Sequence, residues 1–330
     1  MTLYAWGKPR HFPTLPPPQP RYFDVAPGTR VLAHCHWQPR PWEHPTILLL
    51  HGLESSSAAH YVRGLSDKAF GAGFNAVRLN QRNCGGTEEL SDSLYHSGLT
   101  HDPRFVMREL VEVDGLRSIA VAGYSLGGNL ALKLAGDFGS TPPKELCGVC
   151  AVSPTIDLAE CVAALEAPQN WIYQRHFVRN LKKRMRRKAR AFPEKFSVAP
   201  LRGVNTIREF DEAYTAPFHG FQGASDYYHR ASAMRIIERI RVPALVITSE
   251  DDPFVPCQPF RDPRIAANPH IELVISEHGG HCGFVGDASA EDDGYWAERR
   301  IVDFVAKLAT AEDAEDAGKS LAQRPLRPQR

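Results

Sequence analysis

The sequence has no long apolar run, no excess of either charge and no even set of cysteines, and each absence closes a class of protein. A membrane-spanning helix needs about 20 consecutive apolar residues, and no stretch of the 330 positions supplies them. Residues 1 to 20 hold Lys8, Arg10 and many prolines, without the apolar segment and small-residue cleavage site of a secretory signal. The expectation is therefore a cytoplasmic protein. The 39 basic residues stand against 38 acidic ones, so the molecule as a whole has no sign bias that would attract nucleic acid, and any basic surface must be local. The seven cysteines lack the spacing of a disulfide framework and read as reduced thiols.

Two motifs that could hold a metal have plainer readings. Cys147 and Cys150 form a C-x-x-C, but they sit in the apolar run 147–152 with no second such pair, which reads as a buried strand. His34 and His36 share one face of a predicted strand without a third ligand, and read as structural.

What is present is a core. Hydrophobic residues make up 43% of the chain, and from about residue 21 short apolar strands alternate with helical patterns. The predicted strands are 31–37, 46–50, 76–79, 118–122, 148–152, 244–248 and 271–275. Several are apolar throughout, as strands covered by helices on both faces must be, and the alternation predicts a mostly parallel sheet.

The alternation breaks once, where about eighty residues separate two strands. That is too long for a crossover and reads as a helical cap over residues 154–241, holding helical runs at 161–166, 171–190 and 206–214. The predicted core is then 21–153 with 242–308. A Pro-rich arm (1–20) precedes it, and a tail with little apolar content, expected to be disordered, follows (309–330). Lys182 to Arg190 is a dense basic run whose charges point to nearly all sides of a helix. It reads as a solvated face, with contact to anionic lipid or an acidic substrate as the alternative. Trp171, Ile172, Tyr173 and Phe177 read as the interior of the cap rather than as the lining of an acyl pocket.

The strongest chemical signal is the segment 118–132, an apolar strand running into Gly123-Tyr-Ser-Leu-Gly127 and straight on into a helical pattern. That is the context of a nucleophile elbow, in which glycines flank a serine held in a strained turn, and it makes Ser125 the candidate nucleophile. A serine hydroxyl needs a histidine to take its proton and an acid to hold that imidazole in the right tautomer. In this fold they follow in the order serine, acid, histidine. Glu250, Asp251 and Asp252 stand at the carboxyl end of a predicted strand, and Asp252 is preferred because Pro253 fixes the turn after it. His281 is preferred as the base because glycines on both sides let its loop bend, whereas His278 lies nearer the strand end. Backbone amides of Leu53 and Leu126 are the expected donors to an oxyanion, and His51 reads as a structural imidazole.

Further motifs are more specific. The runs Asn80-Gln-Arg-Asn-Cys-Gly-Gly86, Leu94-Tyr-His-Ser-Gly-Leu-Thr-His-Asp102, Ile207-Arg-Glu-Phe-Asp-Glu212, Asp226-Tyr-Tyr228 and Glu250-Asp-Asp-Pro-Phe254, with the triad candidates, resemble the YheT-like branch of the α/β-hydrolase superfamily, the AB hydrolase 4 family. The resemblance spans about residues 45 to 305. It implies an α/β-hydrolase fold with a helical cap, a carboxylesterase activity on small-molecule or lipid esters, and a triad of Ser125, Asp252 and His281. Some relatives move acyl groups onto alcohols, so an acyltransferase is the first alternative, and a non-catalytic binding protein of the same fold is the second. No metal or organic cofactor is expected. Arg82 and Asp102 are expected to brace loops beside the site.

Overall fold

Eight strands form one sheet in the order β1-β2-β4-β3-β5-β6-β7-β8, in a computed structural model that describes residues 10–288 and 293–322. The strands are β1 (Gln19–Ala26), β2 (Thr29–His36), β3 (Thr46–Leu50), β4 (Asn75–Leu79), β5 (Ile119–Tyr124), β6 (Leu146–Val152), β7 (Ala244–Ser249) and β8 (Ile271–Ser276). From β4 to β8 neighbours run parallel, while β1 and β2 turn back antiparallel at one edge. Every residue of β3 to β7 is buried, because helices cover both faces of the sheet. The expected mostly parallel sheet flanked by helices is therefore present. The C-x-x-C cysteines lie buried within β6.

The chain visits β3, moves to β4 on one side and then crosses to β5 on the other. Loops leaving β3 and β5 thus diverge and open a crevice at the carboxyl ends of the strands, where sheets of this type bind their ligands. Helix α1 (His60–Gly71) follows β3, α2 (His101–Glu112) precedes β5, and α3 (Leu126–Phe138) starts one residue after Ser125.

Between β6 and β7 the chain is helical, with α4 (Leu158–Glu166), α5 (Trp171–Ala191) and α6 (Ala224–Ala231) as its longest elements. The Ile207–Phe210 turn is fastened by a capping box, in which the Thr206 hydroxyl accepts from the Glu209 amide while the Glu209 carboxylate accepts from the Thr206 amide.

Four expectations need correction. Strand β1 was hidden by its proline flank, although the alternation that buries Phe23 and Val25 is in the sequence. The basic run is not solvated on all sides. Arg184 and Lys188 are buried, because carboxylates and carbonyls of the core loops reach them: Arg184 pairs with Glu54, Arg187 with Glu88, and Lys188 donates to the Glu88 and Ser91 carbonyls. Trp171 and Ile172 are not interior but 60% exposed. Finally, α7 (Trp296–Ala322) carries helix through residues 309–322, where alanine and glutamate favour it, while 323–330 lie outside the described residues.

Candidate active site

Ser125 occupies the turn between β5 and α3 with φ 54 and ψ −120, a conformation costly for any residue but glycine. Its neighbours make that turn tight. A Cβ on Gly123 would overlap the Gly127 carbonyl, and one on Gly127 would overlap the Leu50 carbonyl, so only glycine lets α3 start this close to β3 and β5. Carbonyls and amides hold the turn: the Ser125 amide donates to Val152 O at 2.9 Å, and Ser125 O accepts from the Asn129 amide at 3.0 Å.

His281 comes from the loop after β8. Its Nδ1 stands 2.9 Å from Asp252 Oδ2, with the Asp252 side chain wholly buried and that of His281 only 7% exposed. The other Asp252 oxygen accepts the amides of Phe254 and Val255, at 3.1 and 2.9 Å, which fixes the carboxylate in a turn. The Phe254 ring packs on the imidazole with centroids 4.0 Å apart. Burial opposes a charge on His281, but Cys282 and Asp252 more than compensate, so its pKa lies above the ordinary value.

The rival residues are held elsewhere. Asp251 accepts the Gly279 and Gly280 amides at 2.9 and 2.7 Å and so shapes the loop that carries His281. Glu250 pairs with Arg261 at the surface, and the His278 side chain is 81% exposed. His51 is buried, accepts the Gln81 amide on Nε2 at 3.1 Å, and has its pKa pulled down to about 4 by burial. Arg82 grips Asp102 with two bonds of 2.6 and 2.5 Å, tying the loop after β4 to the start of α2. Neither residue lines a cavity that reaches Ser125.

The loop after β3 carries a pattern that sequence reading missed. The Gly52 amide donates to the Tyr61 hydroxyl at 3.0 Å, and the Glu54 amide donates to the Tyr95 hydroxyl at 3.1 Å. Two tyrosines therefore occupy the amides on either side of Leu53. Among the described residues neither the Leu53 nor the Leu126 amide finds a backbone acceptor, and Leu126 opens α3, whose first amides have no intrahelical partner. Both residues border a cavity that also reaches Ser125. Glu54 is itself held from α5, where Arg184 Nε donates to its carboxylate at 2.7 Å. No local motif announces these long-range partners.

Two cavities meet at Ser125. One, of about 70 Å³, is walled by Leu158, Cys161, Val162, Leu165 and Leu181 of the helical segment, with Phe177 and Phe254. The other, of about 280 Å³, has His281, Cys282, Glu54, Ser55, His176 and Asn180 on its walls. Only the second touches His281.

A model described as "Alpha/beta hydrolase family" matches residues 47–292. YheT of Escherichia coli, which carries a provisional esterase designation, is 36% identical over 79% of this chain and 76% of its own length. Phospholipase ABHD3 of mouse is 29% identical over 73% of this chain, which spans 58% of that protein. A medium-chain fatty acid ethyl ester synthase/esterase of Saccharomyces cerevisiae is 28% identical, with 86% of this chain and 67% of that protein covered. Among solved structures, the Pyrococcus furiosus esterase Pf2001 superposes with a TM-score of 0.58 at 16% identity, covering 91% of this chain and 96% of that one.

Proposed function

This chain belongs to the α/β-hydrolase family, in its YheT-like branch, and from that premise we propose that it is a serine hydrolase that cleaves carboxylic esters. The observation that carries the reading is His281, bonded at Nδ1 to the buried Asp252 and sharing a cavity wall with Ser125. With Nδ1–H donated to Asp252, the lone pair of Nε2 is free to take the Ser125 proton.

Ser125 Oγ attacks the ester carbonyl as its proton passes to His281. Negative charge then gathers on the carbonyl oxygen, where the Leu53 and Leu126 amides donate, and losing one such donor typically costs about 2.7–4 kcal/mol. His281 returns the proton to the departing alkoxide, which leaves as the alcohol. Water enters, gives a proton to His281 and its oxygen to the acyl carbon, and the acid leaves as Ser125 is reprotonated. The alcohol must leave beside the group that protonates it, so it occupies the larger cavity that touches His281, and the acyl chain occupies the smaller one, whose walls are mostly apolar apart from Thr155, Asp211, Tyr227 and Tyr228. No step calls for a metal or organic cofactor.

Initial rates on p-nitrophenyl esters of increasing acyl length test the proposal. Wild type is expected to release nitrophenol and Ser125→Ala to lose at least about 10³-fold, whereas equal rates in the two would refute it. A second reading is acyl transfer to an alcohol, favoured by the yeast relative whose name joins synthase to esterase. It uses the same residues, and ester formation exceeding acid release in dilute alcohol would select it.

A further inference from the structure

Helix α5 has no acidic residue in its 21 positions, although the whole chain is almost neutral. Positive charge is therefore concentrated on this one element. Arg184, Arg187 and Lys188 are consumed by Glu54 and by the loop holding Glu88 and Ser91. Arg175, Arg179, Lys182, Lys183, Arg186 and Arg190 are not in an ion pair with any described residue. At about 100° per residue these six fall within an arc of about 120°, a single stripe along the helix. Trp171 and Ile172, each 60% exposed, lie on the same arc at the amino-terminal end.

The next face of the same helix carries His176, Phe177 and Asn180, which wall the cavity shared by Ser125 and His281. The stripe thus borders the mouth of the site. A row of cations paired with no carboxylate among the described residues, ending in an exposed indole and an aliphatic side chain, matches a surface that is anionic at its plane and apolar just beneath it. Such a surface gains about 1 kcal/mol per basic residue held near it, and tryptophan settles at its boundary. A nucleic acid would satisfy the cations but offers the aliphatic Ile172 no apolar layer beneath its phosphates, and an acidic protein would need an apolar patch set in register with its carboxylates. We propose that this stripe docks the protein on an anionic lipid bilayer, with the mouth of the cavity turned to the membrane surface.

Docking requires no ester cleavage and is read in Ser125→Ala, which leaves the vesicle esters intact, as well as in wild type, so its failure is distinct from failure of the hydrolase reading. The test is co-sedimentation of the full chain with vesicles of phosphatidylcholine alone or mixed with phosphatidylglycerol, at low and high salt. Arg175→Gln/Arg179→Gln/Arg186→Gln and Trp171→Ala/Ile172→Ala variants are compared with wild type, and thermal melting by circular dichroism establishes that each is folded. Wild type is expected to pellet with the anionic vesicles at low salt and not with phosphatidylcholine. The triple variant is expected to partition about a hundredfold more weakly, and the Trp171/Ile172 variant about tenfold more weakly. Equal binding to both vesicle types, or none to either, would overturn the proposal. So would anionic binding that depends on the arginines but not on Trp171 and Ile172, which would mark a general polyanion surface.

Discussion

Arg184 Nε lies 2.7 Å from Glu54 Oε1, and both side chains are only 5% exposed. The pair joins a helix of the segment between β6 and β7 to the loop that holds the Leu53 amide, with the Tyr95 hydroxyl bonded to the same Glu54 oxygen at 3.1 Å. Glu54 also takes a left-handed φ of 55, which a free glutamate would leave. Removing one partner strands the other charge in the interior, so Glu54→Gln and Arg184→Met should each cost about 3–5 kcal/mol in urea unfolding. Because a whole oxyanion donor is worth about 10²–10³ in kcat, displacement of this loop should lower kcat by about tenfold or more. The double variant should be no worse than the single ones. Additive losses would show that the two residues act separately.

A second prediction concerns the glycines that flank Ser125. Gly127→Ala drives a methyl into the Leu50 carbonyl, between a helix and a strand that cannot separate, and should destabilise by about 3 kcal/mol or more. Gly220→Ala is the control, since its φ of +70 carries backbone strain of about 1–2 kcal/mol but its Cβ meets open space. Equal unfolding midpoints for the two variants would contradict the account of the turn.

The pH profile follows from His281 and the two neighbours that raise its pKa, Cys282 and Asp252. As the proposed base His281 works only when neutral, and its pKa is raised above the ordinary value. The acidic limb of kcat/KM should therefore lie above about pH 6.5, with activity rising as pH rises through it. Asp252→Asn removes a charge that favours the imidazolium, so the limb should move to lower pH. The same change should lower kcat by about 10⁴, as the corresponding exchange does in a serine protease. An unshifted limb would mean that Asp252 does not set the protonation of His281.

Asp211, on the wall of the smaller cavity at Ser125, gives a pH dependence of stability. Burial raises its carboxyl pKa to about 6, against the hydroxyl donations from Thr215 and Tyr228. A carboxyl that holds its proton more tightly when folded stabilises the fold fully below its unfolded pKa, and that contribution is lost as pH rises through the folded value. Stability should thus fall by about 3 kcal/mol between about pH 4 and pH 6. Asp211→Asn should flatten this slope in urea unfolding measured across that range. A slope unchanged in the variant would assign the effect to another group.

The parts of this protein that sequence reveals are those fixed by local rules. Apolar runs such as Thr46–Leu50 are strands because both faces are covered, and Gly123 to Gly127 declares its turn because only glycine fits beside Leu50 and Gly127. The choice among Glu250, Asp251 and Asp252 could be argued from Pro253, yet the separate tasks of the other two carboxylates became visible only with their partners Arg261, Gly279 and Gly280. Arg184 looked like one of many solvated cations, because nothing local records that Glu54, 130 positions away, reaches it. Likewise β1 follows a proline-rich stretch that masks its alternation, and the burial of Phe23 depends on a sheet edge formed by distant residues. Legibility here falls with sequence separation between partners.

The central claim is that Ser125 is the nucleophile. Intact-protein mass spectrometry after exposure to a fluorophosphonate, followed by peptide mapping, tests it directly. A single adduct is expected on Ser125, absent from Ser125→Ala and strongly slowed in His281→Ala. Wild-type protein that stays unmodified, or that carries its adduct on any other residue, would contradict it.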